Sequence, residues 1–161
     1  MKRAIATAKP LREAVCLEMQ LRDAFKEIRY GKWEDKTLDF VKQHYWDDYI
    51  HWLAEPAWNA PTGGETSVEI SDRALAVIAE IQRKYATGNV IVVSHKATIR
   101  IILCELLGID LGRYRDRIDM PAGAVRFAWP LATGFGRSRL YGPGSAFPAG
   151  NLVVMRTSLP N

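Results

Sequence analysis

Residues Val90 to Lys96 read VIVVSHK, four β-branched apolar residues running without alternation into a serine and a histidine. β-Branched side chains favour extended, pleated backbone. A run with no polar alternation predicts a strand covered on both faces, as in a parallel sheet. In sheets of that kind ligands bind outside the carboxyl ends of the strands, and Ser94 and His95 stand at that end. The residues from Ala97 to Leu107 follow as an amphipathic helix stopped by Gly108, so free N–H groups and the positive end of a helix dipole are expected beside the histidine. A histidine placed there can act as a cation, a proton donor or a nucleophile next to a bound phosphate or carboxylate. The structural alternative is an imidazole tied to a loop carbonyl.

The remaining pattern is that of alternating elements. Lys2 to Val15 reads as a helix with Pro10 as a kink, and Leu17, Met19 and Leu21 alternate with polar residues as in a short strand. Ala24 to Thr37 reads as a loop around Gly31, Leu38 to Leu53 as an aromatic helix, and Glu55 to Gly64, with two prolines and two glycines, as a loop. Thr62-Gly63-Gly64-Glu65 and Thr66-Ser67-Val68-Glu69 both fit the capping box that opens a helix, the second leads into the apolar series, and Ala74, Leu75, Ile78, Ile81 and Tyr85 continue it at helical spacing towards Gly88. Strands are expected at Ala124 to Trp129 and Leu152 to Met155, with the Gly-, Pro- and Ser-rich stretch from Leu131 to Gly150 irregular. Strands alternating with helices predict α/β layers around a mostly parallel sheet. The 161 residues suit a single domain, residues 1–161, with 131–161 as an atypical tail.

Composition excludes several classes. With 48% hydrophobic and 25% charged residues the chain is of the globular type, and no apolar run approaches the length of a membrane span. The basic start MKRAIATAKPL lacks the apolar centre of a secretory signal. Cys16 and Cys104 sit alone in apolar contexts without metal spacing, which predicts buried free thiols in a reducing compartment. The net charge of +4 hints at an anionic partner, but no block of like charges appears, so scattered surface Lys and Arg are favoured over a nucleic-acid patch. Two further stretches could serve an anion site. Arg3 and Thr7 share a helix face, and an arginine fork suits phosphate oxygens; an exposed terminal arginine is the equal alternative. Glu27, before the glycine-aromatic turn Tyr30-Gly31, could donate a proton from a partly dry pocket, although most glutamates are simply solvated.

Taken in order, KRAIATAKPL, KEIRYGKWEDKT, PTGGET and VIVVSHKATIRIILCELLG resemble the histidine phosphatase superfamily, the phosphoglycerate mutase-like enzymes, over Lys2 to Trp129. The resemblance implies a three-layer α/β/α fold with a mostly parallel central sheet. It implies phosphomonoester hydrolysis, or mutase-type phosphoryl transfer, through a phosphohistidine, and the short lid segment favours the phosphatase. It implies no cofactor and no metal, a small phosphorylated metabolite as partner, and a cytoplasmic location. By the same resemblance Arg3 holds the phosphoryl group, Glu27 is the proton donor, His95 stabilises the transferring phosphoryl group and Glu65 shapes the site. Ser94 and Lys96 flank His95 as substrate-binding positions. The run from His44 to Leu53 falls where the family carries a cap; Tyr45, Tyr49 and Trp52 share one face and either line the substrate or, more commonly, pack under a lid.

The sequence departs from the family in one decisive way. Members open with a strand ending in Arg-His-Gly, whose histidine is the nucleophile; here the histidines are His44, His51 and His95, and Arg-His-Gly does not occur. Met1 falls where the family is already starting the RA-x-x-TA helix, so a chain without its first strand, from a truncated reading frame, is expected. Such a chain is expected to hydrolyse little, to present a sheet edge beside Val90–Val93 that pairs with a second copy, and to resemble a non-catalytic anion-binding module. Lys96 and Asp35 also replace usual glycines, and the resemblance fades beyond Trp129.

Overall fold

Helix α5 (Lys96–Leu107) is apolar on more than one side, and the fold is arranged around it. Residues Ala97–Ile99 and Ile101–Cys104 are buried. Ile99, Ile102 and Leu103 meet Ala74, Val92 and Met120 in one cluster, while Ala97, Ile101 and Cys104 meet Ile28, Ile70 and Tyr114 in a second. The helix stops at Gly108, which takes the left-handed conformation (φ +67°) and returns its N–H to the carbonyls of Cys104 and Glu105. The computed structural model describes residues 2–16, 18–85 and 90–120, together with strands at 124–128, 139–141 and 153–156.

Most helices lie where the sequence predicts them. Helix α1 (Lys2–Val15) runs through Pro10. Helix α4 (Ser67–Lys84) opens with the full capping box: the Thr66 hydroxyl accepts from the Glu69 N–H at 3.2 Å and the Glu69 carboxylate accepts from the Thr66 N–H at 2.8 Å. It ends at Lys84, short of Gly88, which lies outside the described residues. The single helix expected over Leu38 to Leu53 is broken at Tyr45 into α2 (Leu38–His44) and α3 (Trp46–Ala54). The break lets Val41 from one helix and Tyr49 from the other pack on the same side chain, Trp33. A short helix α6 (Tyr114–Arg117) brings Tyr114 into the second α5 cluster. Among the described residues no helix is long and apolar enough to cross a membrane.

The sheet differs from expectation. Strand β1 (Ala124–Ala128) lies between β2 (Arg139–Tyr141) and β3 (Val153–Arg156), and both pairings are antiparallel, with Arg126 opposite Tyr141 and Val154. β1 and β3 match predicted strands, whereas β2 falls in the stretch expected to be irregular. Parallel pairing needs a crossover of about a dozen residues or more, whereas antiparallel neighbours can be joined closely, and β2 begins eleven positions after β1 ends, at 139 against 128. No ladder joins Val90–Val93 to another described segment, nor Glu18–Leu21, where Leu21 is 57% exposed. A β-branched run is extended by preference but becomes a strand only beside a partner.

Two loops zip together beneath the α4 N-terminus. Lys32 N–H donates to the Thr62 carbonyl and Glu65 N–H to the Arg29 carbonyl, each at 2.9 Å. Gly31 (φ +57°) makes this approach possible, since a Cβ there would stand 2.3 Å from the Thr62 carbonyl oxygen. Gly63 (φ +71°) is also left-handed but faces open space. Gly63→Ala is therefore expected to cost only conformational strain, about 1–2 kcal/mol, and Gly31→Ala clearly more. Urea midpoints of the two variants, compared at equal m-value, check the order.

Candidate active site

The residues from Ala24 to Arg29 are held by side chains rather than by a backbone ladder. Ser94 Oγ donates to the Phe25 carbonyl at 2.8 Å, and Thr98 Oγ1 donates to the Lys26 carbonyl at 2.7 Å. Arg73 donates to the carbonyls of Ala24 and, at 3.1 Å, Lys26. Glu27, carried on this segment, turns its carboxylate to the start of α5: Oε1 accepts from the Thr98 N–H at 3.3 Å and from its neighbour Ile28 N–H at 3.1 Å. Thr98 is in the first turn of α5, so the carboxylate occupies part of the N–H cluster that the sequence predicts as favouring an anion.

His95 is the N-cap residue of the same helix, with extended backbone (φ −117°, ψ 161°) and no capping bond from its ring. It is 5% exposed, and its Nε2 is buried with no hydrogen-bond partner among the described residues. Such an atom is expensive to leave unpaired. Burial lowers the pKa of the ring below its ordinary value; the Glu27 carboxylate opposes that shift and the Arg3 guanidinium adds to it. The three residues joined by the family resemblance, Arg3, Glu27 and His95, thus lie within electrostatic reach of one another. One flank of His95 opens on a cavity of about 450 Å³ between Ile5 and Ala8 of α1, Met19 and Leu21, and Val90 and Val92.

The other predicted positions surround this arrangement in different ways. Ser94 is buried and its hydroxyl serves the Phe25 carbonyl. Lys96 is half-buried as the first residue of α5. Glu65 is 6% exposed, and both oxygens are engaged: Oε2 accepts from the Arg29 N–H at 3.0 Å and Arg73 Nη2 at 3.2 Å, and Oε1 from Arg73 Nε at 3.2 Å. Burial raises its carboxyl pKa, but the Arg29 N–H, the Arg73 hydrogen bond and the charges of both arginines outweigh it, and the net shift is downward. The aromatic face is packing: Tyr49 lies against Trp33 (6.2 Å) and Trp52 (6.4 Å), and Trp52 stands edge-on to Trp33 at 5.5 Å. Arg115 covers the Trp52 ring at 4.1 Å.

Cys104 is buried as expected, its thiol pKa pushed up to about 11 by burial, whereas Cys16 is exposed. Arg73 and Thr98 were not singled out in the sequence. Arg73 left one signal, an arginine beside the buried stripe Ile70–Ala74, and Thr98 another, a hydroxyl residue three positions after His95.

The lowered pKa of His95 has a direct consequence. The folded state takes up its proton at lower pH than the unfolded chain, so stability is full above the ordinary imidazole range and falls as the pH drops through it. The ring-proton titration of His95 is expected below pH 6.5, and His95→Gln is expected to reduce the loss of thermal stability as the pH falls through the imidazole range.

The sequence model of the histidine phosphatase superfamily (branch 1) matches residues 1–129. Phosphoserine phosphatase 1 of Hydrogenobacter thermophilus is 32% identical over 114 residues, covering 71% of this chain and 54% of that protein. The adenosylcobalamin/alpha-ribazole phosphatase of Escherichia coli is 26% identical over 120 residues, 74% of this chain and 59% of that one. The chain thus spans little more than half the length of these two relatives. Bacillus stearothermophilus YhfR superposes with a TM-score of 0.67 at 24% identity, over 73% of this chain and 58% of that structure, which establishes the likeness of fold. A match over residues 1–129 that takes in α1, the Glu27 loop and the His95 helix N-terminus makes this chain a member of the histidine phosphatase superfamily.

Proposed function

We propose that the chain holds the phosphate-binding and proton-donating part of a phosphomonoesterase acting on a small phosphorylated metabolite. The observation that carries this reading is the buried, unpartnered Nε2 of His95 at the N-terminus of α5, with the charges of Arg3 and Glu27 close by. Phosphoryl transfer asks mainly for positioning and charge stabilisation. Arg3 and the α5 N–H groups supply positive potential, and a phosphoryl oxygen at Nε2 would give the imidazole its missing partner. Glu27 already touches the same helix end, where it can pass a proton to a departing alkoxide. Ser94, Glu65 and Lys96 support the site: the first two hold the Glu27 loop, and Lys96 adds a cation at the first turn. The relatives named above are phosphatases, which favours hydrolysis over mutase transfer.

We read Val90–Val93 as a strand of a three-layer α/β/α sheet, with room beside it for a pairing strand of the family's Arg-His-Gly type. The cavity beside His95, lined by apolar residues of α1 and by Val90 and Val92, is where such a strand would seat. Two free thiols fit a reducing, cytoplasmic setting.

Inorganic phosphate titrated into the protein is expected to shift the ring signals of His95 and the amides of Lys96 to Thr98, with no response at His44 or His51. A response confined to His44 or His51 overturns the site. When the 161 residues are supplied with an Arg-His-Gly strand, Glu27→Gln is expected to slow hydrolysis of alkyl phosphates by about 10²–10⁴-fold and to leave activated aryl phosphates nearly unchanged. Equal losses on both would remove Glu27 from the acid role. A second reading rests on the histidine inventory: without Arg-His-Gly among its residues the chain is a phosphate-binding module that does not turn over. It holds if phosphate binds but neither ester class is hydrolysed.

A further inference from the structure

The loop that carries Glu27 is gripped from both sides by a single pair of charges. Arg73 reaches out of α4 and donates to the carbonyls of Ala24 and Lys26, just before Glu27. Its Nε and Nη2 together hold both oxygens of Glu65, each at 3.2 Å, and Glu65 Oε2 in turn accepts from the N–H of Arg29, two residues after Glu27. Backbone anchors therefore stand on each side of the glutamate, and both trace to one guanidinium.

We propose that Arg73 is the positioning residue for Glu27: through Ala24, Lys26 and Glu65 it sets the path of the loop so that the Glu27 carboxylate rests on the Thr98 N–H. The proposal deepens the reading of Glu27 as the acid of the site, but its geometry stands without it. The planar fork is what the arrangement needs. One face of the guanidinium grips a carboxylate with two parallel bonds while the remaining donors reach two carbonyls. A lysine, with its donors on one nitrogen, cannot span them. Ser94 and Thr98 bond the carbonyls of Phe25 and Lys26, both before Glu27; after it, Arg29 is fixed through Glu65, whose N–H meets the Arg29 carbonyl and whose carboxylate, held by Arg73, meets the Arg29 N–H. The Glu27 carboxylate sits at the end of three rotatable bonds, so the path of the loop decides whether its 3.3 Å contact with the Thr98 N–H is the one it takes up.

The Thr98 amide reports on this contact directly, in the protein as it stands and with no phosphate present. At one fixed pH, replacing the carboxylate in Glu27→Gln is expected to move the Thr98 proton shift, since its acceptor changes from a carboxylate to an amide. In Arg73→Lys the Thr98 shift is expected to leave its wild-type position as well, while the amides of Thr66 to Glu69 keep their cap shifts. Arg22→Ala, which removes a surface pair with Glu80, is expected to leave the Thr98 shift where it is. A Thr98 shift of wild-type position in Arg73→Lys overturns the proposal. Should that variant fail to fold, Glu65→Gln tests the same path: the Thr98 shift is expected to move, and an unchanged shift overturns the proposal. Absence of a phosphate response at His95 would instead sink the functional reading and leave the Thr98 result untouched.

Discussion

Glu65 carries its charge where water scarcely reaches it, and the surrounding structure is built to make that tolerable. A carboxylate removed from water must be repaid with hydrogen bonds and opposite charge. Here Arg73 meets it with two donors and Arg29 with its N–H and, at 3.4 Å, its guanidinium. Removing one partner of such a pair commonly costs about 3–5 kcal/mol, because the other charge is left stranded. The pair joins the first turns of α4 to the loop at 24–29, two regions far apart in sequence. The close approach of Gly31 to Thr62 extends the same seam.

Helix α5 then relates the seam to the core. Its buried residues face two clusters at once, one shared with α4 and Val92, the other with Ile28 and Tyr114. A helix committed on two sides has little freedom to rotate or slide, since any such motion would open cavities in a closely packed interior. The consequence falls at its N-terminus. His95 and Thr98 are presented at fixed positions, and Thr98 spends its hydroxyl on the loop and its N–H on Glu27. Packing deep in the protein thereby sets distances at the N-terminus of a helix.

The electrostatics at that end are balanced between opposing influences. Burial and Arg3 disfavour a proton on His95, and Glu27 favours one. The imidazole therefore titrates in the field of the Glu27 carboxylate. Glu27 also lies on N–H groups that would otherwise attract an anion, so any anion arriving there would compete with a resident carboxylate for one part of the helix dipole.

Local chemistry was legible in the sequence wherever a residue acts on its immediate neighbours. The Thr66–Glu69 box, the Gly108 stop and the α5 stripe needed only spacing and side-chain type, and the ordered motifs around Arg3, Glu27 and His95 carried the family. Tertiary structure decided what depends on partners distant in the chain. The split at Tyr45 brings Val41 and Tyr49 into one cluster with Trp33, and the antiparallel order of β1 to β3 depends on which strands find each other. The work of Arg73 could not be read from sequence either, because its carbonyl partners lie 49 and 47 residues away. Periodicity records which face of an element is apolar, whereas a hydrogen bond to a backbone carbonyl leaves no trace in the identity of the residue that accepts it.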